Sequence, residues 1–276
     1  MKTLSLSGGE AVPMLGQGSW MMGEQASRRA DEMAALQAGV DLGMTLIDTA
    51  EMYGDGAAEE LIGEALGHRR DELFLVSKAY PHNASSDRLA RSCEASLRRL
   101  GTDRLDLYLL HWRGSVPLAE TVEAMQALKA AGKIRHWGVS NLDTDDMEEL
   151  VDAGGDGCAT DQILYNLTRR GAEQELMPWL AENGIPVMAY SPVEQGRLIG
   201  HSSLSEIARR IGATPAQVAL AWTMRDGRVI AIPKAGSVDH VRDNRAAADL
   251  LLSDEDLAAL DRAFPRPRVP TPLEML

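Results

Sequence analysis

Three apolar segments of this sequence each end in a side chain that can take part in proton transfer. Asp48 ends the first segment, Lys78 the second and His111 the third, and Tyr53 follows Asp48 in the adjoining loop. A carboxylate, an ammonium, an imidazole and a phenol are groups that general acid–base catalysis uses. Each alone is more often a solvated strand end or a packing residue. Their recurrence at successive segment ends predicts a shared catalytic role.

Tyr53 is the predicted proton donor of this group. A tyrosine pKa is about 10, which is too high for efficient acid or base catalysis near neutrality. The ammonium of Lys78 is expected to favour tyrosinate and so to lower the pKa of Tyr53. Asp48 would hold that ammonium in place. His111 would either donate a hydrogen bond to a substrate carbonyl oxygen or pass a proton to Tyr53.

The segments that position these residues belong to a regular alternation of short apolar runs and amphipathic runs. Runs such as LFLVSK and LDLYLLH suit parallel strands that are buried on both faces. The predicted strands are Leu15–Ser19, Thr45–Thr49, Leu73–Ala79, Leu105–His111, Ile134–Asn141, Thr160–Tyr165, Pro186–Ser191 and Val229–Pro233. Apolar residues three and four apart predict the helices Ser27–Leu42, Ala57–Leu66, Ser85–Leu100, Pro117–Ala131, Thr144–Asp152, Glu175–Asn183, Ser205–Ile211, Pro215–Met224, Val238–Ala247 and Asp254–Ala263. The predicted C-terminal helix caps are Gly43, Gly67, Gly101, Gly132 and Gly184.

This strand–helix order predicts an α/β fold, a (β/α)8 TIM barrel, preceded by a short β-hairpin of Leu4–Leu6 and Glu10–Val12. The length of 276 residues is near the roughly 250 typical of such barrels, so one domain over residues 1–276 is expected. A doubly wound open sheet is the alternative, and the absence of a GxGxxG motif after any strand argues against it. In a barrel the carboxyl ends of the strands meet at one rim, which brings the four polar residues together.

The composition limits the classes of function. A net charge of −13 argues against nucleic acid or an anionic membrane surface as a partner, because phosphates need a basic face. No apolar run reaches the ~18 residues of a membrane helix, and the N-terminus lacks the features of a signal peptide. Cys93 and Cys158 are too few for a disulfide framework, so both are expected to be reduced and the protein cytoplasmic. No metal site is predicted.

The stretches around these residues resemble the aldo-keto reductase family over nearly the whole chain. The matching stretches are LGQGSW (15–20), IDTAEMYG (47–54), LVSKAY (75–80), LDLYLLHW (105–112), IRHWGVSN (134–141), MAYSPV (188–193) and IPKAGSVDHVRDN (232–244). The resemblance places the family's catalytic residues at Asp48, Tyr53, Lys78 and His111. It implies reduction of aldehydes or ketones with NADPH, which is bound in extended form without a Rossmann domain. The stretches CEASLRRLGTDRLDLYLLHW and IRHWGVSNLD are similar to a bacterial branch with methylglyoxal-reductase-like enzymes, which implies small aldehydes or 2-oxoaldehydes as substrates.

The resemblance also implies a set of cofactor contacts. Ser140, Asn141 and Gln162 would hold the nicotinamide carboxamide, Tyr190 would stack on the nicotinamide ring, and Lys234 would meet the 2′-phosphate. The remaining cofactor positions are Ser191, Pro192 and Val193 along the pyrophosphate, Ser237 and Asn244 near the 2′-phosphate, and Ser19, Trp20, Ile232 and His240. Each stretch has a simpler explanation as a helix cap, a strand end or a turn. Their occurrence together in the expected order favours a cofactor site.

Two positions depart from the family pattern. Many members carry an arginine six residues after the lysine of IPK, whereas this chain has His240 there, with Arg242 close by. Asp161 stands where an asparagine often precedes the glutamine. Both differences bear on how strongly NADPH is preferred over NADH.

Aromatic residues near the predicted rim are candidates for substrate contacts. Trp20 ends the first barrel strand and Trp112 directly follows His111, so that two indoles would form an apolar wall. Further candidates are Met21, Met22, Tyr80 and Trp137. The short loops 112–116 and 194–201 predict that no full lid covers the site.

Two other functions are compatible with such a barrel. A cofactor-sensing barrel without turnover, as in the potassium-channel β-subunits that share the family's fold, is disfavoured by the intact set of four residues. A Schiff-base aldolase would use Lys78 as its nucleophile, which requires a neutral amine. Asp48 and Tyr53 around that lysine argue for the charged form. No obligate protein partner is predicted.

Overall fold

The computed structural model describes residues 1–276 and begins with a two-stranded hairpin. Strand β1 (Thr3–Ser5) runs antiparallel to β2 (Ala11–Pro13), with Leu4 opposite Val12. Both side chains are buried in the apolar cluster that also contains Phe74 from the beginning of a barrel strand. The hairpin expected from the sequence is therefore confirmed, and it covers the end of the barrel at which the strands begin.

Eight parallel strands form the barrel, and each lies beside the next strand in the chain. They are β3 (Gln17–Gly18), β4 (Leu46–Asp48), β5 (Phe74–Ala79), β6 (Leu105–Leu110), β7 (Ile134–Ser140), β8 (Cys158–Leu164), β9 (Val187–Tyr190) and β10 (Val229–Ala231). The last and first segments meet through parallel bridges of Leu15 with Ala231 and of Gly18 with Lys234. The sheet is closed, so the predicted barrel is confirmed and the open doubly wound sheet is excluded.

Side chains alternate between the two faces of each strand, as strand geometry requires. In β4 and β5, Leu46 and Val76 belong to the cluster inside the barrel, whereas Ile47 belongs to the larger cluster between the strands and the helices. The next inward positions after Leu46 and Val76 are Asp48 and Lys78. The same alternation therefore places the Asp48 carboxylate and the Lys78 ammonium inside the barrel, at the end where its strands end.

The helices that follow the strands agree with the sequence-based expectation to within three residues at each end. They are α1 (Arg29–Asp41), α2 (Ala57–Leu66), α3 (Ser86–Leu100), α4 (Leu118–Ala130), α5 (Thr144–Asp152), α6 (Leu176–Glu182), α7 (Ser202–Ile211), α8 (Pro215–Thr223), α9 (Val238–Ala247) and α10 (Asp254–Ala263). In α3 the apolar stripe of Leu89, Cys93, Leu97 and Leu100 is buried. None of the helices combines the length and the apolar character that crossing a membrane requires.

Some local boundaries differ from expectation. The first barrel strand, expected over Leu15–Ser19, is regular only over Gln17–Gly18. The last barrel strand ends at Ala231, shortly before Pro233, which has no N–H to donate to a sheet. Gly67 does not form a left-handed cap, because its φ is −55° and the chain continues from it into a 3-10 turn.

Candidate active site

The ammonium of Lys78 lies at the centre of the site, near the end of β5. It donates hydrogen bonds to Asp48 Oδ2 at 2.8 Å, to the carbonyl oxygen of Thr49 at 2.9 Å and to Tyr53 Oη at 3.1 Å. An ammonium has three N–H donors, so all of them are used. Lys78 and Asp48 are almost completely buried. The barrel rim therefore holds a fixed and fully bonded ion pair.

Lys78 keeps its positive charge in this environment. Burial lowers the pKa of Lys78, but the Asp48 carboxylate and the Tyr53 phenol outweigh that effect and raise its pKa above the ordinary value. A nucleophilic amine must be neutral to attack a carbonyl carbon. A Schiff-base aldolase mechanism is therefore disfavoured by the geometry as well as by the sequence.

Tyr53 differs from expectation in the direction of its pKa shift. Burial raises the pKa of Tyr53, the Lys78 ammonium opposes this, and the Asp48 carboxylate reinforces it, so that the pKa is raised overall. The expected lowering is wrong because the phenol is buried and because the carboxylate that holds the ammonium also acts on the phenol. Tyr53 thus remains protonated at neutral pH. Since its oxygen accepts a hydrogen bond from Lys78, its own O–H group is free to donate to a substrate.

His111 follows β6 and lies beside Tyr53, with 5.9 Å between the ring centroids. Burial, and then the nearby Lys78 ammonium, lower the pKa of His111 to about 2, so the imidazole is neutral at physiological pH. Its buried Nδ1 atom has no hydrogen-bond partner. A neutral imidazole can donate one hydrogen bond to a carbonyl oxygen. A neutral imidazole favours the hydrogen-bond donor role expected for His111 over the proton relay.

The loop between β4 and α2 positions Tyr53 above the ion pair. The residues after Tyr53 adopt left-handed conformations, with φ values of 58° at Gly54, 53° at Asp55 and 94° at Gly56. They turn the chain sharply before α2 begins. The carboxylate of Glu51 anchors the loop, because it accepts hydrogen bonds from the Tyr80 backbone N–H at 2.7 Å and from Ser92, Oγ to Oε2, at 2.5 Å. Glu51 was not among the predicted site residues, because its hydrogen-bond partners lie on later elements of the chain.

A second polar cluster joins the ends of β7, β8 and β9 to His111. Tyr190 Oη donates to Asn141 Oδ1 at 3.0 Å, and Asn141 Nδ2 donates to the His111 carbonyl oxygen at 3.1 Å and to Ser140 Oγ at 3.0 Å. Ser140 Oγ in turn donates to the Gln162 carbonyl oxygen at 2.8 Å. The residues predicted to hold and stack on a nicotinamide are therefore brought together by the fold.

Gln162 links this cluster to the ion pair across the mouth of the barrel. Its Nε2 donates to Asp48 Oδ1 at 2.7 Å, while Lys78 occupies Asp48 Oδ2. Both oxygens of Asp48 are thus bound. The side-chain N–H of Gln162 contributes to the charge network at the rim, a contact that the family resemblance did not imply.

The loop predicted to follow the pyrophosphate is held in an unusual conformation. Ser191, Glu194 and Gln195 have positive φ values of 47°, 51° and 54°. Asn166 Nδ2 donates to the Ser191 carbonyl oxygen at 2.9 Å and to Glu194 Oε2 at 2.7 Å. Arg169 Nη2 lies 2.9 Å from Glu194 Oε1. These contacts fix the backbone after β9, including Pro192 and Val193.

Lys234 and the beginning of α9 form a corner of the site close to β3. Lys234 is half-buried, and burial followed by the nearby Arg28 guanidinium lowers its pKa. Ser237 caps α9 by accepting a hydrogen bond from the His240 N–H at 3.4 Å. Asn244 and Ile232 are buried nearby on the chain, while His240 is exposed. Arg28, which sequence analysis did not single out, is thus close enough to Lys234 to influence its charge.

The apolar wall is only partly formed by the predicted residues. The Trp20 ring lies edge-on to Tyr53 with 5.0 Å between centroids, and the Trp112 ring lies 4.8 Å from that of His111. Met21 is exposed and Tyr80 half-exposed. The structure places Met22 and Trp137 in the packed core between strands and helices instead.

Asp161 is buried on β8, and neither of its carboxylate oxygens has a hydrogen bond of favourable geometry, although the backbone N–H of Leu142 lies near enough to oppose the effect of burial on its pKa. Burial raises the pKa of Asp161 well above its ordinary value. Because neighbouring residues of a strand point to opposite faces, Asp161 points away from the pocket into which Gln162 extends. Its position therefore gives it no contact through which to select a cofactor.

The family assignment follows from this fold and site together with a family comparison. The sequence model of the Aldo/keto reductase family matches residues 14–264. The chain belongs to this family. Methylglyoxal reductase YeaE of Escherichia coli (strain K12) is 53% identical over 281 residues, which covers 100% of this chain and 99% of that protein.

Two crystal structures of aldo-keto reductases from Klebsiella pneumoniae are also similar over 100% of this chain and 99% of theirs. The first, in complex with NADP and acetate, has a TM-score of 0.97 and 53% identity. The second, in complex with NADPH, has a TM-score of 0.97 and 54% identity.

Proposed function

We propose that this protein reduces aldehydes or ketones to alcohols with NADPH, and that Tyr53 donates the proton. The observation that carries the proposal is the bonding of Lys78. Its three N–H groups are used by Asp48, Thr49 and Tyr53, which leaves the O–H of a protonated Tyr53 available. The relation to a methylglyoxal reductase and to structures that contain NADP or NADPH supports the same activity.

The residues of the second cluster fit a nicotinamide cofactor. When bound, NADPH supplies a hydride to the carbonyl carbon. The side chains of Ser140, Asn141 and Gln162 offer polar groups for a carboxamide, and the Tyr190 ring is fixed by its hydrogen bond to Asn141. Ser19 adds a buried hydroxyl without a partner. The half-buried cation Lys234 fits a phosphate group at the other end of the site.

The protein residues then divide the proton chemistry between them. The neutral imidazole of His111 holds the carbonyl oxygen by a hydrogen bond, and Tyr53 transfers its proton to that oxygen as negative charge develops there. The ammonium of Lys78 stabilises the tyrosinate that forms. Asp48 keeps the ammonium charged and in place. The contacts of Lys78 with Asp48 and with Tyr53 exist before substrate binds.

Small aldehydes or 2-oxoaldehydes are the proposed substrate class. The identity with the Escherichia coli methylglyoxal reductase supports this choice. Trp20 and Trp112 border the reacting groups on two sides, as a compact substrate requires. We also propose a cytoplasmic location, because Cys93 and Cys158 are free and buried, and burial raises the pKa of both thiols to about 12. No protein partner is proposed.

Purified protein tests the proposed function directly when it is mixed with NADPH and methylglyoxal. Consumption of NADPH with formation of an alcohol product is the expected result. NADPH binding without turnover of any of a panel of aldehydes would favour a cofactor-sensing barrel. Trapping of a covalent adduct between Lys78 and a ketone by borohydride would favour an aldolase.

A further inference from the structure

Gly236 lies between two cationic side chains that are distant in sequence. A Cβ atom at this position would be 2.6 Å from Arg28 Nη2 and 3.3 Å from Lys234 Nζ. Arg28 ends the 3-10 turn before α1, and Lys234 follows β10. Closure of the barrel between its first and last strands brings these two residues together. Both nitrogen atoms border the space that Gly236 leaves open.

Arg28 has a carboxylate partner in Glu32, whereas Lys234 has no carboxylate partner. Arg28 Nε lies 3.7 Å from Glu32 Oε1, and Glu32 Oε2 accepts a hydrogen bond from the Gly23 N–H at 3.0 Å. Glu32 therefore lies on the Nε side of the guanidinium, and Nη2 faces Gly236. Arg28 lowers the pKa of Lys234 more than either Glu32 or Glu24 raises it. Because both nitrogen atoms lie close to the same Cβ position at Gly236, the two like charges repel each other, and an anion between them would relieve that repulsion.

We propose that Arg28 binds the 2′-phosphate of NADPH together with Lys234. The inference rests on the proposed function, because it assumes that NADPH is the cofactor. A phosphate monoester carries about −1.5 to −2 charges at neutral pH, which two cations balance. A guanidinium binds phosphate oxygens through two parallel N–H groups, whereas an ammonium acts as a point charge. Arg28 thus supplies, from the β3–α1 connection, the guanidinium that α9 lacks at His240.

The basic residues of α9 are less well placed for this role. His240 is exposed. Arg242 is 67% exposed and lies 3.5 Å from Asp239 on its own helix. The three heavy atoms nearest to a Cβ at Gly236 belong to Arg28 and Lys234, and none belongs to His240 or Arg242. The second cation of the phosphate site therefore comes from another element of the barrel.

Dissociation constants from quenching of NADPH and NADH fluorescence test the assignment, with Arg28→Met as the main variant. Loss of a partly exposed charge-assisted contact is expected to weaken NADPH binding roughly 5- to 30-fold and to leave NADH binding unchanged. Arg29→Met is the matched control, since Arg29 pairs with Glu64 on the surface. Arg29→Met removes a guanidinium from the neighbouring position of the chain. It is expected to leave the dissociation constants of NADPH and NADH unchanged.

Gly236→Ala tests the geometry without changing the charge. The backbone of Gly236 lies outside the left-handed region, and the clash of the new Cβ is with the flexible end of Arg28. The variant is therefore expected to fold normally, to displace the guanidinium and to weaken NADPH binding but not NADH binding. Combined with Arg28→Met it should add little further loss, because both changes remove the same contact.

Each outcome bears on one of the two proposals. Equal NADPH affinity of the wild type and Arg28→Met would overturn the inference and leave the proposed function intact. Equal losses for NADPH and NADH would also overturn it, since Arg28 would then contact a part that both cofactors share. Failure of the wild type to bind NADPH would overturn the proposed function and the inference with it.

Discussion

The catalytic rim and the Lys234 corner use their charges in opposite ways. At the rim, Lys78 is fully buried and every one of its donors is bonded within the protein. At the corner, Lys234 is half-buried and faces a second cation, Arg28. The ammonium of the rim is paired before anything binds, whereas at the corner only Arg28 has a carboxylate partner, Glu32 at 3.7 Å, and Lys234 has none.

The two regions are expected to control different properties of the enzyme. A buried and paired network fixes protonation states, because its charges cannot be changed without leaving a partner unpaired in a region of low dielectric. A pair of like charges stores repulsion that an anionic ligand relieves. Changes at the rim are therefore expected to affect the rate of the chemical step, and changes at the corner the affinity for one cofactor over another.

The largest expected effect comes from Tyr53→Phe at the rim. Removal of a general acid is expected to lower kcat for a good aldehyde roughly 10²–10⁴-fold. The affinity for NADPH should remain as in the wild type, because Tyr53 lies at the catalytic rim and not at the Lys234 corner. Steady-state kinetics and fluorescence titration of the same preparation give both values. Near wild-type turnover would show that Tyr53 is not the donor.

Lys234→Met is expected to weaken NADPH binding while leaving kcat nearly unchanged, the reverse of the effect of Tyr53→Phe. Loss of a charge-assisted contact to phosphate should weaken NADPH binding by roughly 10–100-fold and leave NADH binding nearly unchanged. With saturating NADPH, kcat should stay close to that of the wild type. Lys129→Met, a change at an exposed position of α4, is the control. An equal loss of NADPH and NADH affinity would contradict the division between the two regions.

Asp161 extends the comparison to a buried carboxyl group that has no hydrogen bond of favourable geometry. Its raised pKa means that the folded protein binds this proton more tightly than the unfolded chain does. The free energy of unfolding should therefore fall as pH rises from the unfolded pKa, about 4, toward the folded pKa. Asp161→Asn is expected to remove that slope and to stabilise the protein by about 1–3 kcal/mol at alkaline pH.

Urea denaturation at several pH values measures this effect. Asp152→Asn, which removes a carboxylate from an exposed position of α5, is the control and should leave the pH dependence as it is in the wild type. A pH dependence that Asp161→Asn does not alter would mean that the pKa of Asp161 is the same in the folded protein and in the unfolded chain.

The smallest effect is expected for His240→Arg. Since His240 is exposed and Arg28 already faces Lys234, an added guanidinium on α9 should tighten NADPH binding by no more than about threefold, the scale of a surface ion pair. Fluorescence titration with NADPH and NADH provides the values. A tenfold or larger gain in NADPH affinity would place the second phosphate contact on α9 and not on Arg28.

Much of the fold and of the rim could be predicted because their signals are local. Asp48 follows Leu46, and Lys78 follows Val76, two positions further along the same strand and on the same face. The closed barrel then brings the ends of the two strands together. The family resemblance then gave the four positions their expected roles. The sequence also predicted the helices well, since their apolar spacing and caps are local.

Other features depend on contacts that no local pattern reveals. The direction of the Tyr53 pKa depends on how deeply the phenol is buried, and the hydrogen bond from Gln162 to Asp48 joins strands β8 and β4 across the barrel. The proximity of Arg28 to Lys234 arises only when the barrel closes. Met22 and Trp137 were expected near the rim because of their positions in the chain, but their side chains point into the outer core.

The pH dependence of kcat tests most directly whether the rim fixes its own protonation states. The pKa of His111 is lowered to about 2 and that of Tyr53 is raised, so neither group titrates near neutrality. Because the donor must be protonated, kcat for aldehyde reduction at saturating NADPH should stay constant from roughly pH 6 to 9 and fall only as pH rises through the Tyr53 pKa above about 10. A fall in wild-type kcat with a midpoint near neutrality, absent from Tyr53→Phe, would show that a group of the rim titrates near neutrality.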